Sequence, residues 1–234
     1  MFSDKPAAWT PHPKLINHHP TMTLKNFFVI KHHDKIVATL NLIPVQWSIG
    51  GIPLRVEEMG QAATLAEYRH RGLQRRLVVE FHRQAAEQGY DLCVIEGIPY
   101  FYRQFGYEYA MPLLEETRIR LEQIPDYKSN LNFRSFTEEN IPKAMQLLAQ
   151  SQEKFYVHTI RDQQIWKMQH ATGITAADKF EGYIVEKDGS LTAYFRISSD
   201  LENKTLILRE ASDANYYTNN AIFKFLKDFG KNMD

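Results

Sequence analysis

Cysteine is almost absent from this chain: its 234 residues contain one, Cys93. A single thiol cannot close an internal disulfide, so the sequence points to a reducing compartment and to a fold held by its core. No apolar run approaches the ~18–20 residues of a membrane-spanning helix. The first residues, Met1-Phe2-Ser3-Asp4-Lys5-Pro6, lack the basic-then-apolar order of a secretory leader. Net charge is lacking as well, because 28 Lys and Arg balance 28 Asp and Glu. That excludes a whole-molecule field drawing nucleic acid or anionic membrane, so electrostatic recognition has to be local. The expectation is a cytoplasmic protein with neither nucleic acid nor membrane as partner; assembly of identical copies is compatible with the sequence. No metal site is expected, because the adjacent pairs His18-His19 and His32-His33 would point to opposite faces of an extended chain.

The composition is that of an ordinary globular protein, 44% hydrophobic and 24% charged. The length suits one large domain or two small ones. Four prolines between Pro6 and Pro20 predict an extended entry. A hairpin is predicted from Phe27-Phe28-Val29-Ile30 and Ile36-Val37-Ala38-Thr39-Leu40-Asn41-Leu42 around a polar turn. A strand follows Gly50-Gly51 over roughly Leu54 to Leu65, then a helix from about Gly72 to Gln88 with Leu73, Leu77, Val78, Phe81 and Ala85 on one stripe. The strand through Cys93 comes next, then a helical turn opened by Pro99 and closed by Gly106, and a last strand near Tyr107.

After the segment Leu121–Tyr127, which reads as a linker, the order partly repeats. A helix capped by Thr137 is followed by the hairpin Tyr183-Ile184-Val185 to Ala193-Tyr194, which aligns with Phe28 to Leu40 so that Ala193 matches Ala38. A strand near Thr205 and a helix from Tyr217 to Phe229 complete the second copy. The predicted domains are therefore residues 1–125 and 131–234.

One stretch stands out chemically. In Leu65-Ala66-Glu67-Tyr68-Arg69-His70-Arg71-Gly72-Leu73-Gln74-Arg75-Arg76, four arginines crowd the start of a helix. A helix N-terminus carries about half a positive charge and free N–H groups, so it prefers anions. Cations gathered there suit a phosphate bound at the turn, where Gly72 permits close backbone approach. The bland alternative is that arginine is simply a good helix former on a solvated face.

A second segment, Tyr102-Arg103-Gln104-Phe105-Gly106-Tyr107, changes that balance. Together the two resemble the GNAT superfamily of acyl-CoA-dependent N-acetyltransferases. That family's pyrophosphate loop reads Arg/Gln-x-x-Gly-x-Gly/Ala, matched by Arg69 to Gln74 except that Gln74 stands where a small residue is usual. Its later motif, Tyr-x-x-x-Gly-Phe/Tyr, is matched completely. The resemblance covers about Phe27 to Pro112. The tandem layout looks most like the enhanced-intracellular-survival branch of bacterial acetyltransferases, although the entry before the first hairpin is short and the second unit looks incomplete. That branch uses a chain-terminal carboxylate in its active site, a role not carried onto Asp234.

The resemblance implies an α/β GNAT fold, a mixed sheet with helices on both faces, followed by a degenerate GNAT-like unit. It implies acetyl-CoA as co-substrate and direct transfer of its acetyl group to a primary amine of a small molecule or peptide. Backbone groups of Ala63, Thr64 and Leu65 would pair with the pantetheine arm. Amides of Arg71, Gly72, Leu73, Gln74, Arg75 and Arg76 would hold the pyrophosphate. Gly97 and Ile98 would line the thioester end. Tyr102 would protonate the leaving thiolate, since a phenol with pKa near ~10 keeps its proton at neutral pH. For the base, Glu58 is preferred; Glu57 and Glu96 are the alternatives. Two other readings remain open: a non-catalytic CoA-binding module, and a tandem transferase using aminoacyl-tRNA, against which the neutral charge and the CoA-type loop both argue.

Overall fold

A computed structural model describes residues 18–98, 100–112, 117–175 and 178–233. Along the chain run β1 (Phe27–His32), β2 (Lys35–Ile49), β3 (Ile52–Thr64), α1 (Leu73–Glu87), β4 (Leu92–Val94), β5 (Asn132–Ser135), α2 (Ile141–Gln152), β6 (Val157–Ile160), α3 (Gln163–Thr172), β7 (Ile174–Thr175), β8 (Asp178–Lys179), β9 (Glu181–Lys187), β10 (Ser190–Asp200), β11 (Thr205–Ala211) and α4 (Tyr216–Lys231). The chain divides into two compact units, Met1–Pro112 with Tyr156–Arg161, and Leu113–Phe155 with Asp162–Asp234. The sequence reading put the boundary near residues 125–131. The segment expected to be a linker lies inside the second unit, where Ile124 is buried and Lys227 donates to its carbonyl at 2.7 Å.

The first unit is a mixed sheet ordered β1-β2-β3-β4. β2 and β3 form a hairpin turning at Gly50 and Gly51, both at positive φ, and are longer than the sequence suggested. The outer edge of β2 is covered first by β1 and then by β6, whose residues Val157–Ile160 pair antiparallel with Ile49–Gln46. Sequence reading missed β6, because four residues with no alternation are stabilised only by a distant edge. α1 packs on this sheet through Leu77, Val78 and Phe81 against Phe28, Ala38, Leu40, Leu42 and Met59. Gly89 at φ 70° ends the helix, its amide bonded back to Ala86. The strand expected near Tyr107 is not formed: residues 107–110 have no ladder partner. Tyr107 instead turns its ring into the core beneath α1.

Two features of β3 shape the site. Its ladder with β4 is parallel and ends at Glu58↔Val94, while β3 itself runs on to Thr64, so the strands part beyond Glu58. Just past that point the register with β2 jumps from Asn41↔Gly60 to Thr39↔Ala63, one extra residue on β3. Gln61 takes that bulge at φ 50°. A bulge bends the strand that carries it and strengthens its twist.

The second unit is an antiparallel sheet ordered β11-β10-β9-β5. Side-chain alternation sends Val185, Ala193, Phe195 and Ile197 towards Ile222 and Leu226 of α4, and Ile184 and Tyr194 towards Ile141, Ala144 and Trp166 of α2 and α3. Its β9–β10 hairpin repeats β1–β2 in backbone detail. Val185↔Ala193 stands where Ile30↔Ala38 stands in the first. The ladder skips Thr192 where the first skips Val37, and Asp188 at φ 50° matches His33 at φ 51°.

Candidate acyl-transfer site

The arginine-rich turn links the end of β3 to α1. Leu65 donates its N–H to Val37 at 3.0 Å, after which Ala66–Tyr68 make one 3-10 turn. Gly72 then stands at the helix N-cap with φ 73°, and no side chain caps the helix. The first intrahelical bond runs from Arg76 N–H to Gly72, which leaves the amides of Leu73, Gln74 and Arg75 at the helix start without helical acceptors. α4 of the second unit differs here, because its own Asn215 side chain accepts from Thr218 N–H.

The arginines are exposed and, among the described residues, Arg71, Arg75 and Arg76 form no ion pair. Arg71 donates to the Glu67 carbonyl at 3.0 Å and lies over the Tyr68 ring. Tyr68 is in turn held by His32, hydroxyl to Nδ1 at 2.9 Å. Arg75 reaches the other motif. It donates to Gln104 Oε1 at 2.5 Å and lies over the Phe105 ring at 5.1 Å. The two segments singled out in the sequence are therefore in direct contact.

Gln74 is explained by its bonds. Its Nε2 donates to Ala63 O at 2.7 Å, Thr64 Oγ1 at 3.0 Å and Thr39 O at 3.2 Å. The amide ties the helix start to the end of β3, a task a small residue cannot perform. It also occupies the Ala63 carbonyl, as Val37 occupies the Leu65 amide. Of the three residues expected to meet a pantetheine arm, Thr64 is the one whose peptide groups face away from β2, by antiparallel alternation.

Tyr102 begins a 3-10 turn, Tyr102–Phe105, closed by Gly106 at φ 90°; Pro99 lies outside the described residues. The Tyr102 ring lies against Gly97, so close that a β-carbon there would stand 2.5 Å from its Cδ2. Burial pushes its hydroxyl pKa up, which keeps it protonated. Ile98 is half-exposed beyond Gly97.

The carboxylates separate by face. Glu57 is fully buried on the α1 side, its Oε2 at 3.9 Å from the Cys93 thiol and its Oε1 without a partner. Burial raises its pKa to about 8, so it is mostly protonated at neutral pH. Glu58 points to the opposite face; burial and then the nearby Glu96 raise its pKa. Burial, with Glu57 beside it, also lifts the Cys93 thiol to about 11. Tyr107 and His82, which the sequence reading left unassigned, share a hydrogen bond of 3.1 Å on the α1 side. Among the described residues no group of three or more His, Cys, Asp or Glu could hold a metal ion. Asp234 lies outside the described residues. No described helix is long and apolar enough to cross a membrane.

Comparison with known proteins accords with this geometry. Residues 4–110 match the family described as Acetyltransferase (GNAT) domain. No curated protein matches the chain significantly in sequence. A probable N-acyltransferase of Enterococcus faecalis, described as a conserved protein of unknown function, superposes with TM-score 0.67 at 18% identity, covering 94% of this chain and 54% of its own. A GCN5-related N-acetyltransferase from Anabaena variabilis gives TM-score 0.67 at 18% identity, with 90% and 54% covered. Saccharomyces cerevisiae N-myristoyltransferase with bound myristoyl-CoA gives TM-score 0.64 at 16% identity, with 99% and 68% covered. The fold is thus of the α/β GNAT type, and the chain spans about half the length of the first two structures.

Proposed function

We propose that the first unit transfers an acyl group, acetyl in the simplest case, from acyl-CoA to a primary amine. One observation carries the reading. The uncapped N-terminus of α1, with Gly72 and three exposed arginines that form no ion pair among the described residues, follows the end of β3 beyond its ladder with β4, and Arg75 joins it to the turn that carries Tyr102. Amides of Leu73, Gln74 and Arg75 with Arg71, Arg75 and Arg76 suit a pyrophosphate through charge-assisted bonds. Thr64 turns its N–H outward for the pantetheine arm, while its carbonyl accepts from Arg69 Nε at 3.4 Å.

In the proposed step the amine nitrogen attacks the thioester carbonyl. The C–S bond breaks, and Tyr102 gives its proton to the departing thiolate. Glu58 takes the proton from the ammonium; its raised pKa makes it a stronger base than a free carboxylate. Glu57 does not fit that role, being shut from solvent and protonated at neutral pH. The second unit reads as a degenerate copy without such a site: its hairpin repeats the first, but its helix start is capped by Asn215 and carries no arginine-glycine turn.

The test is release of free CoA from acetyl-CoA with a panel of primary amines. Turnover above the amine-free rate, reduced about tenfold or more by Tyr102→Phe, is expected. Tight binding of acetyl-CoA with no turnover across the panel would instead mark a CoA-binding module. Equal rates in the Tyr102→Phe variant would remove Tyr102 as the acid.

A further inference from the structure

We infer that Gly97 is a positioning residue for Tyr102, the bare wall against which the acid is held; the inference rests on the acyl-transfer reading above. Gly97 follows β4, and its φ is not in the left-handed region, so backbone conformation does not require glycine there. Space does. A β-carbon would stand 2.5 Å from Cδ2 and 2.7 Å from Cε2 of Tyr102, whereas its next neighbour, Ile95 Cγ1, is at an ordinary 3.5 Å. Both close atoms lie on one edge of a single ring, so an added methyl group pushes the phenol as a body and leaves the strand its room.

The ring's other contacts fix where it rests. Tyr107 packs on it edge to face at 6.0 Å and 77°. Tyr107 is itself pinned, its hydroxyl bonded to His82 of α1 at 3.1 Å and its amide to the Tyr102 carbonyl at 3.4 Å. Phe101 and Phe105 also pack against it, at 5.0 and 6.3 Å between ring centroids. The hydroxyl position is therefore set by the close contact with Gly97 together with the braced Tyr107. Displacing a catalytic group by about 1 Å can cost on the order of a hundredfold in rate.

The experiment combines kinetics with a crystal structure of the Gly97→Ala variant. In the wild-type background Gly97→Ala should lower kcat about fivefold or more, with KM for acetyl-CoA changed less than about twofold. In the Tyr102→Phe background the same change should cost less than about twofold in kcat, because no hydroxyl remains to be misplaced. Both backgrounds should lose similar thermal stability, since the methyl group meets the ring either way. Equal kcat losses in both backgrounds, or a loss carried by KM, would overturn the inference. In the variant structure the Tyr102 ring should have moved while Val56–Glu58 still pair with Leu92–Val94. A ring left in place over a shifted strand also overturns it. Should Tyr102→Phe alone leave turnover intact, the acid assignment fails, and the position of the ring still decides whether Gly97 sets it.

Discussion

The side-chain amide of Gln74 donates to the carbonyl of Ala63 at 2.7 Å, binding the first turn of α1 to the last residues of β3. The residue that departs from the family's loop pattern is therefore a fastener between the start of α1 and the β2–β3 ladder. Gln74→Ala should cost about 1 kcal/mol of stability, the net worth of an ordinary hydrogen bond. Chemical denaturation checks this. A variant as stable as wild type would mean that water replaces the amide without loss.

Arg71 is exposed, and its guanidinium bonds the Glu67 carbonyl and lies over the Tyr68 ring, with the Glu67 carboxylate near enough to interact. Arg71→Glu should therefore leave the melting temperature nearly unchanged and weaken CoA binding about tenfold or more at low salt, with the difference shrinking as salt screens it. Calorimetric titration reads this. Equal CoA affinity would remove Arg71 from the pyrophosphate site.

Glu57 couples folding to pH. Its folded pKa is about 8, above the unfolded value near 4.5. Between those values the native state holds a proton that the unfolded state has released. Stability should fall as pH rises through that window, by up to about 1.4 kcal/mol per pH unit, and level off above it. Glu57→Gln keeps the shape and removes the ionisation, so its melting temperature should stay flatter between pH 5 and pH 8. Parallel wild-type and variant profiles would show that Glu57 does not titrate there.

Burial, with Glu57 beside it, protects Cys93. With the thiol pKa lifted to about 11, little thiolate exists at pH 8. Labelling by a disulfide reagent should be slow in the native protein and fast once it is unfolded. Rapid native labelling would contradict the burial of this face.

The sequence disclosed what local chemistry dictates. The α1 stripe from Leu73 to Ala85 and both hairpin turns were visible, because helical spacing and turn residues are local signals. The candidate site stood out as two motifs, though their contact through Arg75 and Gln104 did not, since nothing in the spacing brings residues so far apart together. Strand faces were less legible. Glu57 and Glu58 are neighbours, and only the register with β4 separates a buried acid from a candidate base. β6 escaped notice because its pairing is set by β2. A strand was expected at Tyr107, where an aromatic run reads as β-forming; the ring is held in the core by His82 without any ladder.

The acyl-CoA site proposed for this chain lies in the first unit, at the start of α1. A crystal structure with bound acetyl-CoA tests it most directly. The pyrophosphate should lie within hydrogen-bonding reach of the Leu73, Gln74 and Arg75 amides, and the thioester sulfur beside the Tyr102 hydroxyl. Acetyl-CoA bound in the second unit, or with its pyrophosphate away from Gly72, would contradict it.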